Sequence, residues 1–99
     1  MTKVGAVRIH ETGGPEALRF EQVELKAPGP GEARVRHDAV GVNFIDTYHR
    51  SGLYPLPLPA VLGTEAAGVV EAVGKGVSEV AVGQRVAYAG TITGAYAEA

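Results

Sequence analysis

The sequence predicts a mainly β domain, either an all-β barrel or a sandwich, with one short helix. About six short segments alternate apolar and polar residues with a period of two, as half-buried strands do. The 14 glycines and 6 prolines supply the turns that short strands need between them. One segment alone changes to a helical period. With 99 residues, the chain is long enough for a single domain.

Period-two alternation locates the strands. In the second of them, the apolar positions slip in phase between Phe20 and Val23, which predicts a β-bulge or bend. The third strand runs to about Val42, and a last alternation begins at Ala95. The predicted strands are residues 3–10, 18–25, 33–42, 66–73, 85–89 and 95–99.

The one predicted helix spans Asn43 to Arg50. Phe44 and Tyr48 recur at helical spacing, and Asn43 is a residue type that favours the N-cap. Gly52 follows as a natural stop, because glycine adopts the left-handed conformation common at helix ends.

Two further expectations concern the polar side chains of this helix. Asp46 and Arg50 are four residues apart, which predicts an ion pair along the helix surface. His49 and Arg50 are interpreted as part of a solvated face. Downstream, small residues predict a place where backbones approach one another closely. These small residues are Gly63, Ala66, Ala67 and Gly68.

Composition excludes several classes of partner. The net charge is −2, from 9 Lys and Arg against 11 Asp and Glu, without the concentrated cationic face that nucleic acid requires. There is no cysteine for the disulfides of small secreted domains, and we find no N-terminal signal pattern. No apolar run approaches the roughly 20 residues of a membrane span. We therefore expect a soluble, cytoplasmic domain with neither nucleic acid nor membrane as its partner.

Three segments carry a family resemblance, namely residues 40–55, 59–70 and 82–86. In this order they resemble the medium-chain dehydrogenase/reductase superfamily, and within it the zinc-independent quinone oxidoreductases related to zeta-crystallin. The resemblance extends over essentially all 99 residues. One departure is Gln84, which stands where the family usually has aspartate in a Gly-Asp-Arg-Val turn.

The resemblance implies both an architecture and an activity. Residues 1–99 are then the first part of a GroES-like β-barrel substrate domain, with the Rossmann cofactor domain absent from this chain. The implied reaction is hydride transfer from NADPH to a quinone or enone, in an enzyme that forms a homo-oligomer at full length. Two alternatives stay open: an enoyl or alkenal double-bond reductase of the same fold, and a free-standing GroES-like module that binds a partner without catalysis.

The resemblance also implies roles for four residues. Asn43, Asp46 and Tyr48 would face the nicotinamide–ribose end of the cofactor, and Tyr54 would close the mouth of the substrate site. Tyr48 and Tyr54 are thus the candidate catalytic residues. Structural interpretations stay open beside these, because Asn43 also suits a helix N-cap, Asp46 the start of a helix dipole and Tyr48 a packed core.

The same resemblance argues against zinc. Asn43 stands where the zinc alcohol dehydrogenases have a cysteine ligand, and Thr64 where they have a histidine ligand. Catalytic zinc needs three protein ligands, and neither replacement is one. The three histidines, His10, His37 and His49, fall on separate predicted elements. We therefore expect no metal site.

A dinucleotide fingerprint is also missing from the sequence. In the two candidate Gly-x-Gly segments, the third glycine of the fingerprint is replaced by Arg34 and by Glu79. We therefore expect the missing domain to bind most of the NADPH, and the 99-residue chain alone to be inactive.

Overall fold

Six strands form two antiparallel sheets in the computed structural model, which describes residues 2–90 and 92–99. One sheet has the strand order β2-β1-β4 and the other β3-β5-β6. The mainly β fold with one α-helix is confirmed, although the described strands stay as two sheets and do not close into a barrel. The elements are β1 (Thr2–Ile9), a 3-10 helix (Pro15–Ala17), β2 (Arg19–Leu25), β3 (Ala33–Val40), α1 (Phe44–Ser51), β4 (Ala60–Val61), β5 (Glu65–Val73) and β6 (Arg85–Ala89).

The predicted bulge in β2 is wrong. Its register with β1 runs unbroken from the pair Thr2–Leu25 to the pair Arg8–Arg19. The phase slip arises because Phe20 lies on the outer face, 72% exposed. Its ring covers Gly5 of β1, where no side chain stands in the way. An exposed aromatic residue that packs over a glycine therefore breaks the apolar–polar alternation of the sequence without any bulge in the strand.

The irregularities occur in the second sheet instead. The register between β3 and β5 shifts at Arg34/Val35 and again at His37/Ala39, and β3 ends at Val40, two residues earlier than predicted. At Gly68 the strands are so close that a Cβ would overlap the carbonyl oxygen of Arg36. The predicted need for a small residue at this position is confirmed.

The core is small, and residues of both sheets contribute to it. Ile9, Leu62 and Val70 are the largest fully buried side chains. Ile9 and Leu62 form a cluster with Ala17, and the ring of Tyr96 packs against this cluster. A core of this size gives each packed residue a large share in the stability of the domain.

The segment from Ala95 onward forms less strand than its alternation predicts. Its one bridge in the described residues joins Ala97 to Ala6 of β1. Backbone hydrogen bonds nevertheless hold it on both sides. Val7 N donates to Tyr96 O at 2.7 Å, and Tyr96 N donates to Leu62 O at 2.8 Å.

Candidate functional site

Helix α1 and its N-cap supply three of the four predicted site residues, and local sequence determines where the helix begins and ends. Asn43 is the N-cap, as predicted, with extended φ and ψ of −125° and 154°. Gly52 is the C-cap in the left-handed region at φ 88°. The Gly52 N–H donates to the carbonyl oxygens of Tyr48 and His49 at 3.1 and 3.3 Å, which closes the last turn.

Three aromatic side chains form a continuous surface on the outside of α1, which we call the aromatic wall: Phe44, Tyr48 and Tyr54. The rings of Phe44 and Tyr48 meet edge to face, with centroids 5.5 Å apart at 67°. The rings of Tyr48 and Tyr54 do the same at 5.3 Å and 70°. Phe44 is 76% exposed and Tyr54 is 49% exposed. The wall is therefore an apolar surface open to a ligand or another domain.

Apolar neighbours extend this wall at both ends of the helix. Val42 precedes α1 and Leu53 follows it, and both side chains are mostly exposed. Ile45 lies on the first turn of α1 and is also partly exposed. The wall therefore has further exposed apolar residues close to it in sequence.

Asp46 lies on the opposite side of α1 and is buried, with 4% of its surface exposed. Its Oδ2 accepts hydrogen bonds from Asn43 N at 3.0 Å and from the Tyr96 hydroxyl at 2.5 Å. Its Oδ1 is buried without a hydrogen-bond partner in the described residues. The predicted ion pair with Arg50 is wrong, because Arg50 Nε instead donates to the carbonyl oxygen of Gly13 at 3.2 Å.

The hydroxyl of Tyr96 stays protonated in this environment. Burial, followed by the hydrogen bond to Asp46 and the charge of that carboxylate, raises the pKa of Tyr96 far above its usual value. Tyr96 is therefore a permanent donor to Asp46 at neutral pH. Sequence reasoning missed this residue, because 50 positions separate it from Asp46 and no short motif joins them.

His49 is buried, with 7% exposed, so the predicted solvated face is wrong at this position. It lies three residues after Asp46 and therefore on the same inward side of the helix. Its ring packs against that of Tyr54, with centroids 6.4 Å apart at 61°. Its Nδ1 has no hydrogen-bond partner in the described part of the chain.

The histidines lie in separate environments. His10 Nε2 lies 2.6 Å from Glu21, whereas His37 contacts the Tyr88 hydroxyl through Nε2 at 2.9 Å. Across residues 2–90 and 92–99, no three His, Asp or Glu side chains converge as a metal site would require. Over the same residues, no helix is long and apolar enough to cross a membrane.

Residues 29–99 match the family described as the alcohol dehydrogenase GroES-like domain. The chain belongs to this family. It is 59% identical over 87 residues to a quinone oxidoreductase of Pseudomonas aeruginosa. The aligned region covers 87% of this chain and 27% of that protein. It is also 49% identical over 100 residues to a 2-haloacrylate reductase of a Burkholderia species. That alignment covers 96% of this chain and 30% of the reductase.

Among solved structures, Escherichia coli quinone oxidoreductase complexed with NADPH matches with a TM-score of 0.92 at 48% identity. The match covers 95% of this chain and 29% of that one. The resemblance inferred from the three sequence segments is thus confirmed. The chain spans less than a third of the length of the curated relatives named here, with 27% and 30% covered.

Proposed function

We propose that this chain is the N-terminal, substrate-side domain of an NADPH-dependent quinone oxidoreductase that works without a metal. The observation that carries the proposal is the exposed aromatic wall, formed by two residues of α1, whose N-cap is Asn43, and by Tyr54 of the loop that follows the helix. Relatives named as quinone oxidoreductases, one of them in complex with NADPH, support it. We assign most of the cofactor binding to a second domain outside residues 1–99.

The residues of α1 suit the nicotinamide–ribose end of NADPH. Asn43 is half-buried at the N-terminus of the helix, and Tyr48 is half-buried one turn later. Asp46 is buried on the inner side of α1, and its Oδ2 accepts a hydrogen bond from Asn43 N at 3.0 Å, so it would support this end of the cofactor through Asn43. When bound, NADPH supplies the hydride. We propose that Asn43, Asp46 and Tyr48 hold its nicotinamide end.

The aromatic wall suits a flat, conjugated acceptor. An aromatic edge-to-face surface favours a planar ring, and its apolar neighbours exclude water from the contact. Tyr48 and Tyr54 are our candidate catalytic residues, since either hydroxyl can donate to the acceptor oxygen as charge develops there. Tyr54 also closes the mouth of the site. Proximity and orientation then supply most of the rate enhancement.

A quinone or enone accepts a hydride without a Lewis acid, because conjugation spreads the arriving charge. The residue types agree with this chemistry, since Asn43 and Thr64 stand where a zinc enzyme of the superfamily needs ligands. We therefore propose zinc independence for the full-length enzyme. The net charge of −2 supports a protein that does not bind nucleic acid. We also propose that the full-length enzyme is a cytoplasmic homo-oligomer.

A second candidate function keeps the fold and changes the acceptor. The relative named 2-haloacrylate reductase favours an enoyl or alkenal double-bond reductase. The two candidates differ in the acceptor whose kcat/KM is higher. The aromatic wall favours the quinone, because a planar ring contacts more of it than a short enone does.

The test uses the full-length protein in the presence of a chelating agent. NADPH oxidation is followed with 1,4-benzoquinone, with a 2-alkenal and with a 2-enone. We expect the highest kcat/KM with the quinone and no loss of rate on chelation. A higher value for the alkenal or enone favours the second candidate, and the absence of turnover with every acceptor contradicts both.

A further inference from the structure

Tyr96 is held in place by backbone hydrogen bonds and by packing against the core. Its backbone is hydrogen-bonded on one side to Val7 and on the other to Leu62. Its ring packs against the buried cluster, and Gly63 is so close that a Cβ there would overlap the ring. The position of its hydroxyl is therefore determined by the core and not by α1.

That hydroxyl reaches the first turn of α1. It donates to Asp46 Oδ2 at 2.5 Å, and the same oxygen accepts from Asn43 N at 3.0 Å. The backbone of the helix adds one further bond, from Asp46 N to Asn43 O at 3.0 Å. One carboxylate oxygen thus connects the core to the residue that begins the helix.

We propose that Tyr96 is a positioning residue for cofactor binding, which acts through Asp46 to fix Asn43 and the first turn of α1. This inference rests on the proposed function and deepens it, because it names the group that holds the cofactor-facing residues in place. Tyr96 touches neither the cofactor nor the substrate in this account.

The short length of the helix explains why a positioning hydrogen bond is needed. With eight residues, α1 is too short to be stable by itself, so tertiary contacts must determine its orientation. A displacement of about 1 Å at a cofactor-facing residue is enough to reduce activity strongly. A hydrogen bond to a buried carboxylate is directional and strong, which makes it suited to this task.

The test replaces Tyr96 by phenylalanine in the full-length protein, so that the ring packing stays and only the hydroxyl is lost. The matched control is Tyr88→Phe, which removes another hydrogen-bonded hydroxyl, located on β6. We expect the Kd for NADPH, measured by its fluorescence, to rise about tenfold in Tyr96→Phe and less than about twofold in Tyr88→Phe. We expect kcat at saturating NADPH to change less than the Kd.

Amide hydrogen exchange separates positioning from general stability. We expect exchange at Asn43 to accelerate in Tyr96→Phe, while the Val70 amide of β5, bonded to Gln84 O at 2.9 Å, keeps its protection. Equal acceleration at both amides, or a lower melting temperature with an unchanged Kd for NADPH, would mean that Tyr96 is merely structural and would overturn the proposal.

A double-variant cycle with Asp46→Asn tests the route of the effect. If Tyr96 acts through Asp46, the double variant binds NADPH no more weakly than Asp46→Asn alone. Additive losses would overturn the proposal. If Tyr96→Phe does not fold, amide hydrogen exchange at Asn43 in the Asp46→Asn variant still tests the proposal.

Failure of the proposed function is distinguishable from failure of this inference. If the wild-type protein binds NADPH without reducing a quinone, the proposed function fails and the Kd comparison still decides the role of Tyr96. If Tyr96→Phe changes neither Kd nor exchange at Asn43 in a protein that reduces quinones, only the inference fails.

Discussion

The ring of Tyr48 meets the ring of Tyr54 edge to face, with centroids 5.3 Å apart at an interplanar angle of 70°. A hydrogen bond from Tyr54 N to Tyr48 O, 3.2 Å long, folds the loop after α1 back onto the helix. The two rings therefore form one surface, and a change in either ring alters the contact that the other offers to a planar acceptor.

Removing the ring of Tyr54 is expected to weaken binding of the acceptor. In the full-length protein, Tyr54→Ala should raise the KM for 1,4-benzoquinone about threefold to tenfold, since an aromatic pair contributes about 0.5–1.5 kcal/mol. Tyr54→Phe keeps the ring and is the matched control for KM, which should stay within about twofold of the wild type, whereas its kcat should fall because the donor hydroxyl is lost. Steady-state kinetics checks both variants. An unchanged KM in Tyr54→Ala would remove this residue from the site.

Adding a methyl group at Gly68 is expected to destabilise the second sheet. The new Cβ overlaps the carbonyl oxygen of Arg36, a backbone atom that cannot rotate away, so Gly68→Ala should cost about 2 kcal/mol or more. Gly90→Ala is the control, because a Cβ at that position meets no atom within 4 Å. Urea unfolding of the full-length variants measures the difference. Equal stability of the two would contradict the close approach of β3 and β5.

Replacing His49 by an apolar residue is expected to stabilise the protein. Its Nδ1 is buried without a hydrogen-bond partner in the described residues, so His49→Leu removes a desolvation cost of about 1 kcal/mol. His10→Leu is the control, because His10 contacts Glu21 at 2.6 Å on the surface and gains nothing from the change. Thermal unfolding compares the two variants. A lower melting temperature for His49→Leu would show that His49 makes a favourable contact.

Acidification is expected to remove the contribution of Glu21. Its hydrogen bonds with Arg8 and then His10 lower the pKa of Glu21 in the folded state. The stabilisation is therefore present above the unfolded pKa of about 4.3 and is lost as the pH falls through the lower folded value. Wild type and Glu21→Gln should differ in melting temperature at pH 6, and the difference should shrink as the pH falls below the unfolded pKa of about 4.3. Glu24→Gln, on the same strand, is the control. A pH-independent difference for Glu21→Gln would contradict this account.

Local signals explain why α1 was predictable. Asn43, Gly52 and the spacing of Phe44 and Tyr48 all act within a few residues, and each is as the sequence indicates. The shared face of Phe44 and Tyr48 was predictable for the same reason, whereas Tyr54 was placed beside them only through the family resemblance. The hydrogen bond between Asp46 and Tyr96 was not predictable, because the two residues are 50 positions apart and no local pattern connects them.

Packing between distant segments explains the other errors. Histidine is polar and was expected in solvent, but the loop that carries Tyr54 covers His49. The alternation after Ala95 indicates a strand, yet strand formation depends on neighbours in space, and only Ala97 bridges to β1 in the described residues. The register shifts of β3 leave no mark on its alternation.

The central claim is that the aromatic wall lines a metal-independent quinone site. The most direct test measures kcat/KM for 1,4-benzoquinone in the full-length Tyr48→Ala variant, with NADPH and a chelating agent present. Tyr48 lies in the middle of the wall, between Phe44 and Tyr54, so its loss opens the whole surface. We predict a fall of about tenfold or more in Tyr48→Ala, and a change of less than about twofold in Tyr88→Phe, whose hydroxyl contacts His37. Equal kcat/KM values in Tyr48→Ala and the wild type would contradict the assignment of the site to this wall.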